Sequence, residues 1–338
     1  MDSTINIDLH LHTNKSDGTL SPSEIVELSF SKGLKIIAIT DHDTTNGINE
    51  AYDVIANYSE MTLIPGIELS VDIPGGEIHL LGYFIDIHDE SFQQKIEEFR
   101  LSRVNRAKVI VEKLNHLGLS ISWNEVTEVA QDAAIGRPHI AQVLVNKNYI
   151  KYPKEAFDRY IGRLGPAYAD RPKLSAEEAI KILLDNGAVP VLAHPFFMFT
   201  KKNTSNTSQI KTIIKQLQSY GLMGIETYYG KHGPNEVSYL KNLCKELNLI
   251  PTGGSDFHNS GNPNEPKPGD AGPPMSTYTK LKELHLDIKQ KNNNPNVYRY
   301  ILHSTFILMG SNTHFLPSGK ILCKNRYYKT WFSKCWSI

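Results

Sequence analysis

Nine side chains of the kinds that bind divalent cations recur along the chain: His10, His12, Asp17, His42, Glu68, His79, His194, Asp256 and His258. His10 and His12 stand two apart in an alternating, β-rich segment, so both point to one face of a strand. An HxH pair by itself is as compatible with packing as with ligation. The recurrence carries the argument. His42, Glu68, His194, Asp256 and His258 each close an apolar run, His79 lies within one, and Asp17 sits in the loop after the first. In a barrel of parallel strands such ends converge on one site. Burying so many ionisable groups without a cation would be costly. Imidazole and carboxylate together suit Mn²⁺, Zn²⁺ or Fe²⁺, and the lack of neighbouring cysteine argues against a zinc–thiolate site. One ion holds about four to six such ligands, so this set suits two or three ions sharing a carboxylate. A water bridging two ions ionises near neutral pH and attacks phosphorus in line while the ions neutralise the oxyanions. The expected chemistry is hydrolysis of a phosphate ester by a metal-bridging hydroxide.

The elements that must hold these residues alternate in type. Ile5–Leu11 reads as a strand. Ser21-Pro22-Ser23-Glu24 opens a helix, with Ser21 as N-cap, Pro22 at its first position and Glu24 completing a capping box. That helix runs to about Lys32 and stops at Gly33, a left-handed candidate. Strand Lys35–Thr40, helix Asn46–Tyr58, strand Thr62–Val71 and strand Glu77–Asp86 follow. The nearly continuous apolar strands predict a parallel sheet buried on both faces. From about Ser91 the texture is helical only. A long amphipathic segment, Phe92–Leu117, with Phe92, Ile96, Phe99 and Val104 on one face, precedes Trp123–Ala130, Pro138–Asn146 and Pro153–Ile161. This block, about 91–165, reads as an insertion. Alternation then resumes with helix Ser175–Asn186, strand Ala188–Ala193, helix Ser208–Tyr220, strand Gly224–Tyr229, helix Glu236–Leu247, strand Leu249–Gly253 and a closing helix Lys280–Ile288.

Composition narrows the classes. Lys+Arg and Asp+Glu are both 36, so the formal net charge is zero. No global nucleic-acid footprint results, and an anionic ligand must be held locally by ions or a few arginines. Neither an N-terminal apolar h-region nor a run of about 18 apolar residues is present, which argues against a secretory signal or a membrane span. Cys244, Cys323 and Cys335 form no disulfide framework and no CxxC motif. The expectation is a cytoplasmic protein with a domain over 1–290. The tail, 291–338, holds Trp331 and Trp336 but no Asp or Glu; it reads as a basic, aromatic and poorly ordered extension.

Jointly, Asp8-Leu-His10-Leu-His12-Thr, Ser16-Asp17-Gly18, Thr40-Asp41-His42-Asp43, Gly66-Ile-Glu68, His79, Ala193-His194-Pro195 and Gly254-Ser-Asp256-Phe-His258 resemble the PHP (polymerase and histidinol phosphatase) family, over residues 5 to 288. The resemblance implies an α/β fold: a distorted (βα)₇ TIM-like barrel, amidohydrolase-like, with a helical insertion. It implies one metal on His10, His12, Glu68 and Asp256, a second sharing Glu68 and adding His79 and His194, and a third on Asp17, His42 and His258. Mn²⁺ is the expected ion, with Zn²⁺, Fe²⁺ or Mg²⁺ as alternatives. Many histidinol-phosphatase-like and polymerase-linked members carry His where this chain has Asp17. Asp there looks like the stand-alone phosphoesterases, among them nucleoside 3′,5′-bisphosphate phosphatases and short-RNA 5′ exonucleases. The expected substrate is therefore a small nucleotide such as a nucleoside 3′,5′-bisphosphate. The alternatives are a 5′–3′ exonuclease on short RNA or DNA, a histidinol-phosphatase-like enzyme, and a non-catalytic metal-binding accessory module. The segment Gly136-Arg137-Pro138-His139 resembles the family's "RPH" and implies that Arg137 and His139 reach the substrate phosphate, where Arg binds bidentately. His232 is a further candidate for substrate binding, and Arg171 and Lys173 for phosphate contact.

Overall fold

The computed structural model describes residues 5–73, 76–170, 174–198 and 207–293. The tail beyond residue 293, Arg171 and Lys173 lie outside the described residues. Seven strands form one sheet in chain order: β1 (Ile7–Leu11), β2 (Ile36–Ile39), β3 (Thr62–Ile73), β4 (Gly76–Tyr83), β5 (Val189–Leu192), β6 (Gly224–Tyr229) and β7 (Ile250–Gly254). β1, β2 and β3 run parallel, as do β5, β6 and β7. β4 runs antiparallel to both of its neighbours, which corrects the all-parallel expectation. The cause is the connection. β3 and β4 form a hairpin that pairs Ile73 with Gly76, without a crossover helix, and a chain that doubles straight back must reverse direction.

The sheet closes on itself. The His12 amide donates to the Phe257 carbonyl at 3.0 Å, and the Asp256 amide to the His10 carbonyl at 2.9 Å. The result is a distorted, mixed seven-stranded barrel with helices outside. At the seam the backbones approach closely: a Cβ at Gly254 would lie 2.5 Å from both the Cβ and the backbone nitrogen of His10. Gly254→Ala must therefore push β7 off β1. The expected loss is about 1–3 kcal/mol, read as a lowered thermal midpoint; an unchanged midpoint would refute this account of the seam.

A register shift in β1, between Asp8 and Leu11, decides which side chains face the barrel interior. Ile7 and Leu9 pack with Ile36, Ala38, Ile64, Leu81 and Val189 from neighbouring strands. Leu281 of α10 (Ser276–Asn293) joins that cluster. Leu11, past the shift, packs instead with Ile37 and Ile39 against α1 (Pro22–Ser31) and α2 (Ile48–Ile55). His10 and His12 are thereby left on the other face.

Four helices follow β4: α3 (Glu90–His116), α4 (Trp123–Ala130), α5 (Arg137–Asn146) and α6 (Pro153–Ala156), the last running into a π turn at Phe157–Ile161. They build their own apolar core from Ile110, Leu114, Val126, Ile140 and Leu144. α3 serves two cores, because Phe92 and Ile96 near its start pack against the barrel. The barrel helices α7 (Ala176–Asp185), α8 (Thr207–Tyr220) and α9 (Pro234–Leu247) complete the fold.

Local rules hold at the helix ends. Ser21 and Glu24 cap α1 reciprocally, Ser175 and Glu178 do the same for α7, and Gly33 and Gly187 have φ of +78° and +88°. α9 starts earlier than Glu236. Glu236 is its third residue, and its carboxylate accepts from the Gly233 amide at 2.7 Å. α10 likewise begins at Ser276 rather than Lys280. No helix among the described residues is long and apolar enough to cross a membrane.

Candidate metal centre and its cavity

His10 and His12 lie side by side on one face at the end of β1. His10 Nε2 and His12 Nε2 are 3.1 Å apart. Glu68 Oε2, from β3, stands 3.4 and 3.2 Å from them, and Asp256 Oδ1, just past β7, stands 3.3 and 3.2 Å away. Ligands held about 2.0–2.1 Å from a tetrahedral ion are about 3.3–3.4 Å from one another. These spacings match.

The other oxygen of Glu68 faces a second group of side chains. Glu68 Oε1 is 2.9 Å from His79 Nδ1 on β4 and 3.0 Å from His194 Nε2 just past β5. Asp17 belongs to a third group, with His258 Nε2 at 3.3 Å and His42 Nε2 at 3.8 Å. His42 also turns its Nδ1 to Glu68 Oε2 at 3.2 Å. The structure thus brings all nine expected residues into one cluster. Asp43, His194 and Asp256 take left-handed backbone, with φ of 51°, 27° and 56°. Such strain in non-glycine residues gathers at functional sites.

The polar atoms point at shared centres rather than at hydrogen-bond partners. His12 Nδ1, His42 Nδ1 and Glu68 Oε2 are buried and make no hydrogen bond among the described residues. Electrostatics agrees. Burial would raise the Glu68 carboxyl, but the imidazoles of His42, His79 and His10 hold it well below the usual range. Asp256 and Asp17 are held low in the same way, by His10 and His258 and by His258 and His42. Burial would lower His12, but Asp256 and Glu68 push it up to about 10. At His42 burial prevails and drives the imidazole down to about 3. Three carboxylates, Glu68 and Asp256 buried and Asp17 partly so, demand positive charge, and a divalent ion supplies it while leaving imidazole lone pairs free to ligate. The donor set fits divalent cations.

The roles of several supporting residues escaped sequence reasoning. Glu226 on β6 is fully buried. It accepts from His10 Nδ1 at 2.8 Å and from the His194 amide at 2.8 Å. This places the His10 proton on Nδ1 and leaves Nε2 free to ligate. Its only signal was one carboxylate in the apolar run Gly-Ile-Glu-Thr-Tyr-Tyr. Asp41 accepts from the Thr13 amide, the Thr13 hydroxyl and the Ser16 hydroxyl at 2.6–2.7 Å, which fixes the loop carrying Asp17. Asp8 accepts from the Ser255 and Gly269 amides, both at 3.0 Å, tying β1 to the chain beyond β7. Tyr229 donates its hydroxyl to Asp256 Oδ2 at 2.8 Å.

A cavity of about 180 Å³ opens beside the cluster. Asp17, His42 and His79 line its wall, and so do Arg103 and Arg106 of α3 and Arg137 of α5. Arg137 was legible in the sequence. Arg103 and Arg106 were not, although their three-residue spacing places them on one helix face. His139 is buried and off this wall; its Nδ1 accepts from the Gly136 amide at 3.0 Å at the start of α5, and burial lowers its pKa. His232 is also off the wall. Its Nδ1 donates to the Thr227 carbonyl at 3.1 Å and its ring packs among Phe196, Phe197 and Tyr229.

Comparison with known proteins gives consistent likenesses. The profile of the PHP domain family matches residues 8–185. The chain is 30% identical over 252 residues to the 5′-3′ exoribonuclease Rnm of Escherichia coli K12, covering 74% of this chain and 84% of that protein. It is 28% identical over 262 residues to the 3′,5′-nucleoside bisphosphate phosphatase of Chromobacterium violaceum, covering 76% and 88%. Among solved structures, a protein described as a metal-dependent phosphoesterase from Bifidobacterium adolescentis superposes with a TM-score of 0.74 at 28% identity, over 81% of this chain and 94% of that one.

Proposed function

The chain belongs to the PHP domain family and is a phosphoester hydrolase; from that premise we propose that it removes a terminal phosphate from a nucleoside 3′,5′-bisphosphate, with Mn²⁺ as the preferred ion. The observation that carries this reading is a cavity lined by Asp17, His42 and His79 of the cluster together with the three guanidinium groups of Arg103, Arg106 and Arg137. One phosphate at the cluster leaves the second facing Arg103, Arg106 and Arg137.

His10, His12, Glu68 and Asp256 would hold one ion, Glu68, His79 and His194 a second, and Asp17, His42 and His258 a third. Bound there, divalent ions supply an activated water and neutralise phosphate oxygens. The chain's own part is orientation. Glu226 fixes the His10 tautomer, and Asp41 fixes the Asp17 loop. Arg103 is held by Asp43 and by the Ser70 hydroxyl, so its charge is positioned before any ligand arrives. Arg137 supplies a planar donor group to phosphate oxygens.

A second reading, stepwise 5′ trimming of short oligonucleotides, is favoured by the likeness to Rnm, named a 5′-3′ exoribonuclease. The site could be the same, with only the room beyond the first nucleotide different. One panel separates the readings. Protein loaded with Mn²⁺ is offered adenosine 3′,5′-bisphosphate, adenosine 5′-monophosphate, histidinol phosphate and labelled RNA pentamers. The expected outcome is fastest phosphate release from the bisphosphate, complete loss with EDTA, and recovery with Mn²⁺. Stepwise 5′ shortening of RNA at a higher kcat/KM would favour the exonuclease. No release from any substrate, with metal shown to be bound, would sink both.

A further inference from the structure

Glu77 is a carboxylate set beside the arginines of the cavity. It sits on β4, two residues before His79. Glu77 Oε1 is 2.9 Å from Arg137 Nη2 and 3.3 Å from His79 Nε2. Glu77 Oε2 is 3.2 Å from the same Arg137 nitrogen and 3.9 Å from Arg106 Nη1.

The three arginines are not equivalent. Arg103 is matched by Asp43. Arg106 is anchored through Nε by a neutral group, the Ala169 carbonyl at 2.8 Å, and lies over the Tyr168 ring. Arg137 lies over the Phe157 ring and reaches Glu77 through Nη2 alone. One nitrogen shared between two oxygens is weaker than the two-nitrogen fork an Arg can present to phosphate. A phosphate dianion can therefore replace Glu77 at Arg137. On release, the carboxylate keeps its contact with His79 Nε2, so the exchange strands no buried charge.

We propose that Glu77 is a displaceable counter-ion: it holds Arg137 in the free protein, the second anionic group of the substrate replaces it there, and it thereby sets selectivity between ligands with one and with two phosphate groups. This rests on the bisphosphate reading of the same cavity. A ligand that engages Arg137 must break the Glu77 pair, whereas a ligand that stops at the metal cluster leaves it intact. Removing the carboxylate charge favours the two-phosphate ligand.

The test is calorimetric titration of Mn²⁺-loaded protein with two non-hydrolysable probes, the 3′,5′-bisphosphonate and the 5′-monophosphonate analogues of adenosine nucleotides. Metal content is assayed in every sample. Glu77→Gln should raise the ratio of bisphosphonate to monophosphonate affinity about five- to thirtyfold, the scale of one charge-assisted pair. Glu77→Ser, which removes the same charge but leaves space, should move the ratio the same way. Arg137→Gln should collapse the ratio, and adding Glu77→Gln to it should have little further effect. A purely structural Glu77 would not depend on Arg137. The proposal is overturned by a ratio that stays constant or falls in both Glu77 variants with metal retained, or by an equal effect with and without Arg137. If the probes behave as expected but wild-type protein releases no phosphate from the bisphosphate, the functional reading fails and the counter-ion role stands.

Discussion

Glu68→Gln is expected to reduce phosphate release by more than about a thousandfold, the scale of losing ion-assisted water activation. The reasoning is geometric. Both oxygens of this carboxylate are engaged: Oε2 faces His10, His12 and His42 within 3.4 Å, and Oε1 faces His79 and His194 within 3.0 Å. It is the side chain shared by the candidate sites, so its loss disables more than one of them. Glutamine keeps the shape but removes the charge, and it turns an NH₂ donor toward nitrogens that must offer lone pairs. Elemental analysis should show at least one ion lost per chain, and excess Mn²⁺ should not restore the rate. The variant should stay folded, because it removes one of several crowded carboxylates without opening a void. Retention of a rate within about tenfold of wild type would contradict the bridging role.

The cluster was legible because its residues sit in short local patterns. His10-x-His12 obeys strand alternation, while Asp41-His42-Asp43 and Ser255-Asp256-Phe257-His258 follow apolar strands. Strand ends in such a barrel meet at one rim, so their meeting followed from order along the chain. The direction of β4 was not legible. An apolar run such as Glu77–Tyr83 reads the same whether a helix or a hairpin delivers it. The arginine wall was hidden for another reason. Arg103 and Arg106 lie in a helix rich in solvated charges, and only the folding of α3 across the barrel separates them from Arg100, which pairs with Glu97 on the same helix. His139, in the triplet that carries Arg137, accepts through Nδ1 from an amide of its own helix start, a local contact that the sequence pattern does not reveal.

Glu226 tests whether orientation by a supporting carboxylate matters as much as ligation. Its two oxygens each accept one buried donor, His10 Nδ1–H and the His194 amide. Glutamine can satisfy only one of them with its carbonyl. Its NH₂ must face the other, either opposing the His194 amide or forcing the His10 proton to Nε2, where the lone pair is needed. Loss of such a supporting group lowers metal affinity by about 10–100-fold. Glu226→Gln should therefore need more Mn²⁺ for half-maximal rate yet approach wild-type turnover at saturation. In this it differs from Glu68→Gln, which excess metal does not rescue. Glu226→Ala should behave worse, since two buried donors go unsatisfied at about 1–3 kcal/mol each, and its thermal midpoint should fall as well. A Mn²⁺ titration of the rate separates the two roles: an unshifted half-saturation point in Glu226→Gln would mean that His10 is oriented by its packing and not by Glu226.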